Sequence, residues 1–162
     1  MKYWKDWLKI GILITVTIVS VFCAVKFRTV IVVGSSMSPA LRNGDRCLMY
    51  KTQNIERYDV ICFKYSNGDS YAKRVIGLPG ERIFVCETGI AICSKTDKSV
   101  QVLEEKYLVF RNNGFTGLID VGKDEVYVLG DNRPNSHDSR IFGPVKINKI
   151  EGVLEFILWN RP

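Results

Sequence analysis

Three stretches of this chain combine residue types that can do covalent chemistry. Residues 34–41 read Gly-Ser-Ser-Met-Ser-Pro-Ala-Leu and follow a β-branched run. A strand that ends in a Gly-Ser turn, with Pro39 fixing the backbone behind it, exposes a hydroxyl beside backbone N–H groups able to hold an oxyanion. Residues 70–76, Ser-Tyr-Ala-Lys-Arg-Val-Ile, read as a strand. Alternation puts Tyr71, Lys73 and Val75 on one face and Ala72 and Arg74 on the other. A lysine between Tyr and Val loses hydration, which disfavours its ammonium form and lowers its pKa toward neutrality. A neutral lysine amine is a general base for a serine hydroxyl. An ordinary exposed strand lysine has the same local pattern, so this stretch alone does not decide.

The third stretch runs from Gly130 to Arg140, Gly-Asp-Asn-Arg-Pro-Asn-Ser-His-Asp-Ser-Arg, directly after an apolar run. Ser136 is placed to hydrogen-bond a lysine amine. Asp138 and Arg140 are two apart and can pair to brace the loop. Residues 44–51, by contrast, read as a turn entering a strand, a structural role.

The elements that must position these groups are mostly strands. After Arg28 no long helical period appears; short β-branched and aromatic runs recur between turn residues. The pattern predicts strands over Thr29–Val33, Arg46–Lys51, Asp59–Tyr65, Ser70–Ile76, Arg82–Cys86, Ile90–Cys93, Lys106–Phe110, Glu125–Leu129 and Glu151–Trp159. Turns are expected at Asn43–Asp45, Ser66–Asp69 and Asn112–Gly114, and a short helix near Pro144–Ile150. The expected fold is mainly β: one antiparallel folded-sheet or barrel-like domain over residues 27–162.

Ahead of it lies an uncharged stretch, Ile10–Val25. Sixteen residues span only about 24 Å of helix against a hydrocarbon core of about 30 Å. Lys9 and Lys26 can snorkel, and Trp4 and Trp7 suit the interface. The segment is apolar on all sides, unlike an amphipathic core helix. Phe22 and Val25 interrupt any small-x-small cleavage pattern. An uncleaved transmembrane helix over residues 10–26 is expected, with residues 1–9 cytoplasmic by the positive-inside bias and the rest outside the cytoplasm.

The net charge of +6 does not point to nucleic acid. Residues 1–26 hold four basic residues and one acidic; the other 136 hold nineteen and sixteen, with no basic stripe. A single His excludes His-rich metal sites, and no Cys-x-x-Cys pair suggests a zinc ribbon. Neither a metal nor another cofactor is expected.

Taken together, the three stretches resemble the boxes of type I signal peptidases, the membrane-bound Ser-Lys endopeptidases that remove signal peptides. Ser36-Met37-x-Pro39 is similar to the nucleophile box. Lys73-Arg74-Val75-x-Gly77-x-Pro79-Gly80 is similar to the lysine box, and Gly130–Arg140 to the third signature. Gly143-Pro144-Val145 and Trp159 also fit, and the order behind a hydrophobic anchor is the family's.

The resemblance implies that Ser36 is the nucleophile, Lys73 the general base, and the Ser36 backbone N–H part of the oxyanion hole. Ser136 would orient the lysine amine, with Asp138 and Arg140 as braces. Val32, Met37, Leu41, Tyr71 and Ala72 match pocket-wall positions for small-x-small cleavage sites. The implied partners are secretory preproteins, the lipid bilayer and the protein translocation machinery. Three positions depart from the commonest pattern. Gly34 stands where some members carry an extra serine hydroxyl, Ala40 where Thr is usual, and Tyr58 where Gly is usual. A mitochondrial peptidase of the same clan fits less well because the Gly130–Ser136 and Leu78-Pro79-Gly80 runs look more bacterial, a self-cleaving repressor because of the hydrophobic span and the lack of a DNA-binding helix pair, and a degenerate chaperone-like relative because both Ser36 and Lys73 are present. Among the five cysteines, Cys86 and Cys93 flank a hairpin turn and read either as a disulfide or as two thiols. Cys47 and Cys62 read as buried thiols.

Overall fold

The computed structural model describes residues 4–65, 68–93, 99–108 and 117–159. It opens with helix α1, Trp4–Lys26. The helix begins six residues before the expected span, and its 23 residues reach about 34 Å. The shortfall of the sixteen-residue stretch is thereby made up by the Trp- and Lys-bearing turn in front of it. Asp6–Lys26 is apolar and long enough to cross a membrane, and its apolar stretch is not buried against the rest of the described residues. Thr15 and Thr17 turn their hydroxyls back onto the carbonyls of Gly11 and Leu13, so these two polar groups are satisfied within the helix.

Eleven strands follow among the described residues: β1 Phe27–Ile31, β2 Arg46–Tyr50, β3 Val60–Lys64, β4 Ser70–Gly77, β5 Arg82–Cys86, β6 Gly89–Cys93, β7 Val100–Val102, β8 Gly117–Asp120, β9 Glu125–Leu129, β10 Val145–Lys146 and β11 Ile150–Trp159. A single helical turn, α2, spans Ser139–Phe142. The strands form a seven-stranded sheet, ordered β1-β2-β11-β3-β4-β9-β10, and a four-stranded sheet, ordered β7-β6-β5-β8. Every pairing is antiparallel. The mainly-β expectation, with one N-terminal apolar helix, is what the chain adopts.

β9 is covered on both faces, which explains its uninterrupted apolar run Val126–Leu129, and Val75 and Ile76 at the end of β4 are covered likewise. Val75, Val126 and Val128 pack with Ile61, Phe63 and Val153. Their neighbours Ile76, Tyr127 and Leu129 point the other way, onto Ile83, Val85 and Ile90 of the smaller sheet. A third cluster, Val32, Met37, Leu41 and Cys47, lies beneath the serine turn.

Several local expectations need correction. Lys106 and Tyr107 form a turn and Leu108 is in no strand, so the first three residues of the expected strand Lys106–Phe110 are not one; residues 109 and 110 lie outside the described residues, as does Asn112–Gly114. Of Ser66–Asp69, residues 66 and 67 lie outside them too. The helix expected at Pro144–Ile150 is replaced by β10 and a 3-10 turn, Ile147–Lys149. The helical turn comes earlier, where the Asp138 side chain caps it by accepting the Arg140 N–H. Cys86 is opposite Gly89, and Cys93 is opposite Arg82. The two cysteines are therefore about 13 Å apart along the hairpin, beyond disulfide reach. Cys47 and Cys62 are buried thiols.

Candidate active site

The chain leaves β1 through Val32 and turns at Gly34, whose φ of +91° lies in the left-handed region that favours glycine. The Gly34 N–H donates to Asn43 Oδ1 at 2.9 Å, and Val32 exchanges backbone hydrogen bonds with Gly44 and Asp45 at 2.8 and 2.9 Å. Behind Ser36 the Leu41 N–H reaches the Met37 carbonyl at 2.9 Å, closing one helical turn. Met37 and Leu41 anchor that turn in the core and leave Ser36 half-buried at its rim.

Lys73 lies in the middle of β4, opposite Ile61 of β3, and is only 4% exposed. Its Nζ donates to Ser36 Oγ at 2.7 Å and to the Ala72 carbonyl at 3.0 Å, and lies 5.3 Å from the centre of the Tyr71 ring. Burial lowers the lysine pKa to about 8, against the opposing pull of Asp138, Asp131 and Cys62. A lysine amine at this value, in contact with a hydroxyl, can accept that hydroxyl's proton near neutral pH.

The loop after β9 supports the serine turn from behind. The Asn132 N–H donates to the Ser36 carbonyl at 3.0 Å, and Asn132 Nδ2 donates to the Ser35 carbonyl at 3.2 Å. This approach requires glycine at 130: a Cβ there would lie 2.2 Å from Ser136 Oγ and 2.5 Å from the Ser36 carbonyl oxygen. Asp138 accepts the Gly130 N–H at 3.0 Å and grips Arg140 through two bonds of 2.8 Å each. Arg140 Nη2 also donates to the Arg133 carbonyl at 2.6 Å. Ser136 Oγ is buried and has no hydrogen-bond partner among the described residues; the orienting bond expected from it to Lys73 is not made. The lysine amine is held instead by Ser36 and the Ala72 carbonyl.

Sequence reasoning missed a second set of braces. Arg74, on the opposite face of β4 from Lys73, binds Asp131 through bonds of 2.8 and 2.6 Å and donates to the Tyr58 carbonyl at 2.8 Å. The Tyr107 ring covers the Arg74 guanidinium at 4.3 Å. Arg133, fully buried, donates to the Gly130 carbonyl at 2.9 Å and is ion-paired with Glu105. Alternation along β4 gave the face of Arg74, but no local pattern links it to Asp131, or Arg133 to Glu105.

A cleft of about 630 Å³ opens in front of the dyad. Val32, Met37, Tyr71 and Ala72 line it together with Ser36 and Lys73. Leu41 does not: it lies one helical turn behind Met37, in the cluster below. His137 is on the cleft wall, bonded to Tyr65 Oη at 3.3 Å and packed against Tyr71 and Phe142. Among the described residues, no three His, Cys, Asp or Glu side chains converge to hold a metal ion.

The family profile described as signal peptidase, peptidase S26, matches residues 4–159. The chain belongs to this family. It is 35% identical to signal peptidase I of Bacillus caldolyticus over 90% of this chain and 87% of that one. It is 31% identical to signal peptidase IB of Staphylococcus aureus, over 96% and 91%. The crystal structure of a signal peptidase I from Enterococcus faecalis superposes with a TM-score of 0.53 at 34% identity, covering 63% of this chain and 97% of that one. Membership in the signal peptidase family makes the chain a serine endopeptidase acting on preproteins that bear signal peptides.

Proposed function

We propose that this signal peptidase is anchored by α1 and cuts signal peptides from secretory preproteins with a Ser36–Lys73 dyad. The observation that carries the reading is the 2.7 Å contact between Lys73 Nζ and Ser36 Oγ, with the lysine buried. In the reacting form the amine is neutral and takes the Ser36 proton as Oγ attacks the scissile carbonyl. The Ser36 backbone N–H, at the rim of the turn, holds the oxyanion. The lysine ammonium returns the proton to the leaving amine. Water then attacks the acyl carbon, giving a proton to Lys73, and Lys73 returns that proton to Ser36 Oγ as the bond to the acyl group breaks.

The Val32, Met37, Tyr71 and Ala72 walls favour small side chains at the first and third residues before the cut. The remaining parts of the reading follow from the anchor: a cytoplasmic N-terminus, a catalytic domain on the far side, and substrates delivered by the translocation machinery. Asp138 and Arg140 act as braces, and Ser136 closes the back of the site, packed on Gly130.

The test is cleavage of a preprotein with an Ala-x-Ala site by the detergent-solubilised full chain, Ser36→Ala and Lys73→Ala. Cutting at the signal-peptide end by the unmodified chain alone supports the dyad. Residual cutting by either variant overturns it.

A further inference from the structure

One end of the cleft carries charge that this mechanism leaves unused. β1 follows α1 without an intervening residue, so it runs from the membrane end of the helix toward the serine turn. A signal peptide whose apolar segment lies in the same bilayer therefore enters at the Arg28 end, with the bond to be cut at the Ser36 end. Ser70 is three residues from Lys73 on β4, about 10 Å along an extended chain. Side chains at and just beyond Ser70 meet the substrate four or five residues before the cut.

Glu151 of β11 lines the cleft there, with Cys62 and Leu154 also on its lining. Its side chain is 20% exposed. Oε2 accepts from Ser70 Oγ at 2.6 Å. Oε1 lies 4.0 Å from Arg28 Nη1, an ion pair at its outer limit, and the Arg28 side chain is 62% exposed. A carboxylate offers about four lone-pair sites. One hydrogen bond and one stretched, solvated ion pair leave acceptor capacity beside the cleft. A lysine or arginine would meet that capacity, with its methylene stem along Leu154 and Cys62. An acidic side chain would meet a half-buried like charge.

We propose that Glu151, framed by Ser70 and Arg28, is a specificity-determining acceptor that favours a cationic side chain at the fourth or fifth residue before the cut. The inference rests on the function proposed above, which supplies the direction of the substrate.

The test uses the full chain in detergent and peptides with one Ala-x-Ala site, carrying Lys or Glu at the fourth or fifth position before the cut. The Lys peptide is expected to exceed the Glu peptide in kcat/KM by about tenfold. Glu151→Gln keeps an acceptor for Ser70 and should bring the ratio within about twofold of one. Arg28→Gln removes the competing cation and should raise the ratio. Reading the ratio within each variant cancels any general change in activity. The same peptides are also bound to Ser36→Ala, alone and with Glu151→Gln, by fluorescence anisotropy. A ratio near one in the unmodified chain, or an unchanged ratio in Glu151→Gln, overturns the subsite. Absence of cutting, with Glu151-dependent preference for the Lys peptide still seen in binding, overturns the endopeptidase mechanism and leaves the subsite standing.

Discussion

Asn132 donates its backbone N–H to the carbonyl of Ser36 at 3.0 Å. The serine turn is thus held by a loop 97 residues further along the chain at the neighbouring Ser35 contact. Both partners of the dyad are held from one side: Ser36 through Asn132, and the strand of Lys73 through the Arg74–Asp131 pair. The loop after β9 thereby holds Ser36 and Lys73, the proposed nucleophile and base, in place and supplies neither.

The closeness of this packing makes Gly130 the most sensitive position in the loop. Gly130→Ala puts a methyl group against Ser136 Oγ and against the Ser36 carbonyl. Activity should fall at least a hundredfold and stability by about 2–4 kcal/mol. Adding Ser136→Gly removes one of the two clashes, so thermal unfolding should recover in part while activity stays low, because the Ser36 carbonyl remains displaced.

The activity should rise with pH until Lys73 is neutral. With a pKa of about 8, log kcat/KM should climb with a slope near one below pH 8 and level above it. An acid limb centred below pH 6 would be inconsistent with Lys73 as the base.

The same buried lysine should cost stability. Its folded-state pKa is lowered from 10.5 to about 8, so between these values the unfolded chain binds more protons and stability rises with pH. Below pH 8 the full cost, on the order of 3 kcal/mol, is present. Lys73→Met should be inactive yet more stable at pH 7, with the advantage shrinking as pH approaches 10.5. Thermal unfolding at pH 7 and pH 10 checks both the sign and the window.

Glu105 is no part of the proposed dyad, yet its loss should be costly. It is the ion-pair partner of Arg133, whose side chain is fully buried. Glu105→Ala leaves a guanidinium buried against the loop that backs Ser36, a change of about 3–5 kcal/mol. Chemical denaturation of the full chain should show the loss. Glu105→Asp keeps the carboxylate and should recover part of it.

Tyr58 has φ +74°, a strained conformation for a non-glycine residue. Its carbonyl accepts from Arg74, and its ring meets Tyr107 edge-on at 6.1 Å. Tyr58→Gly should lie within about 1 kcal/mol of the parent, since relief of strain offsets the lost ring contact. Tyr58→Val, β-branched and without the ring, should lose about 2 kcal/mol. Melting temperatures of the two variants distinguish these effects.

The parts of this protein that sequence made legible are those governed by local periodicity. The alternation in Ser70–Ile76 gave the face of Lys73, and the apolar runs gave β2 to β6, β9 and β11. β7 and β8 escaped because three or four residues carry too little pattern. The cysteine hairpin turned on register, which a two-residue turn sets and composition does not. The Glu105–Arg133 and Arg74–Asp131 pairs join segments distant in sequence, and nothing near Arg133 marks it as fully buried. Tyr58 could be noted as unusual in sequence, but its strain became visible only with the backbone.

Lys26 ends α1, Phe27 begins β1, and the Lys26 carbonyl is tied to the Lys51 N–H at 2.8 Å. No slack separates anchor from sheet. Nine residues lie between Lys26 and Ser36, and part of that interval is turn, so the Ser36 hydroxyl stands at a set height above the helix end. Under the function proposed above, the helix would work as a gauge: a bond flanked by small residues would be cut only when the substrate's own spacer lifts it to that height.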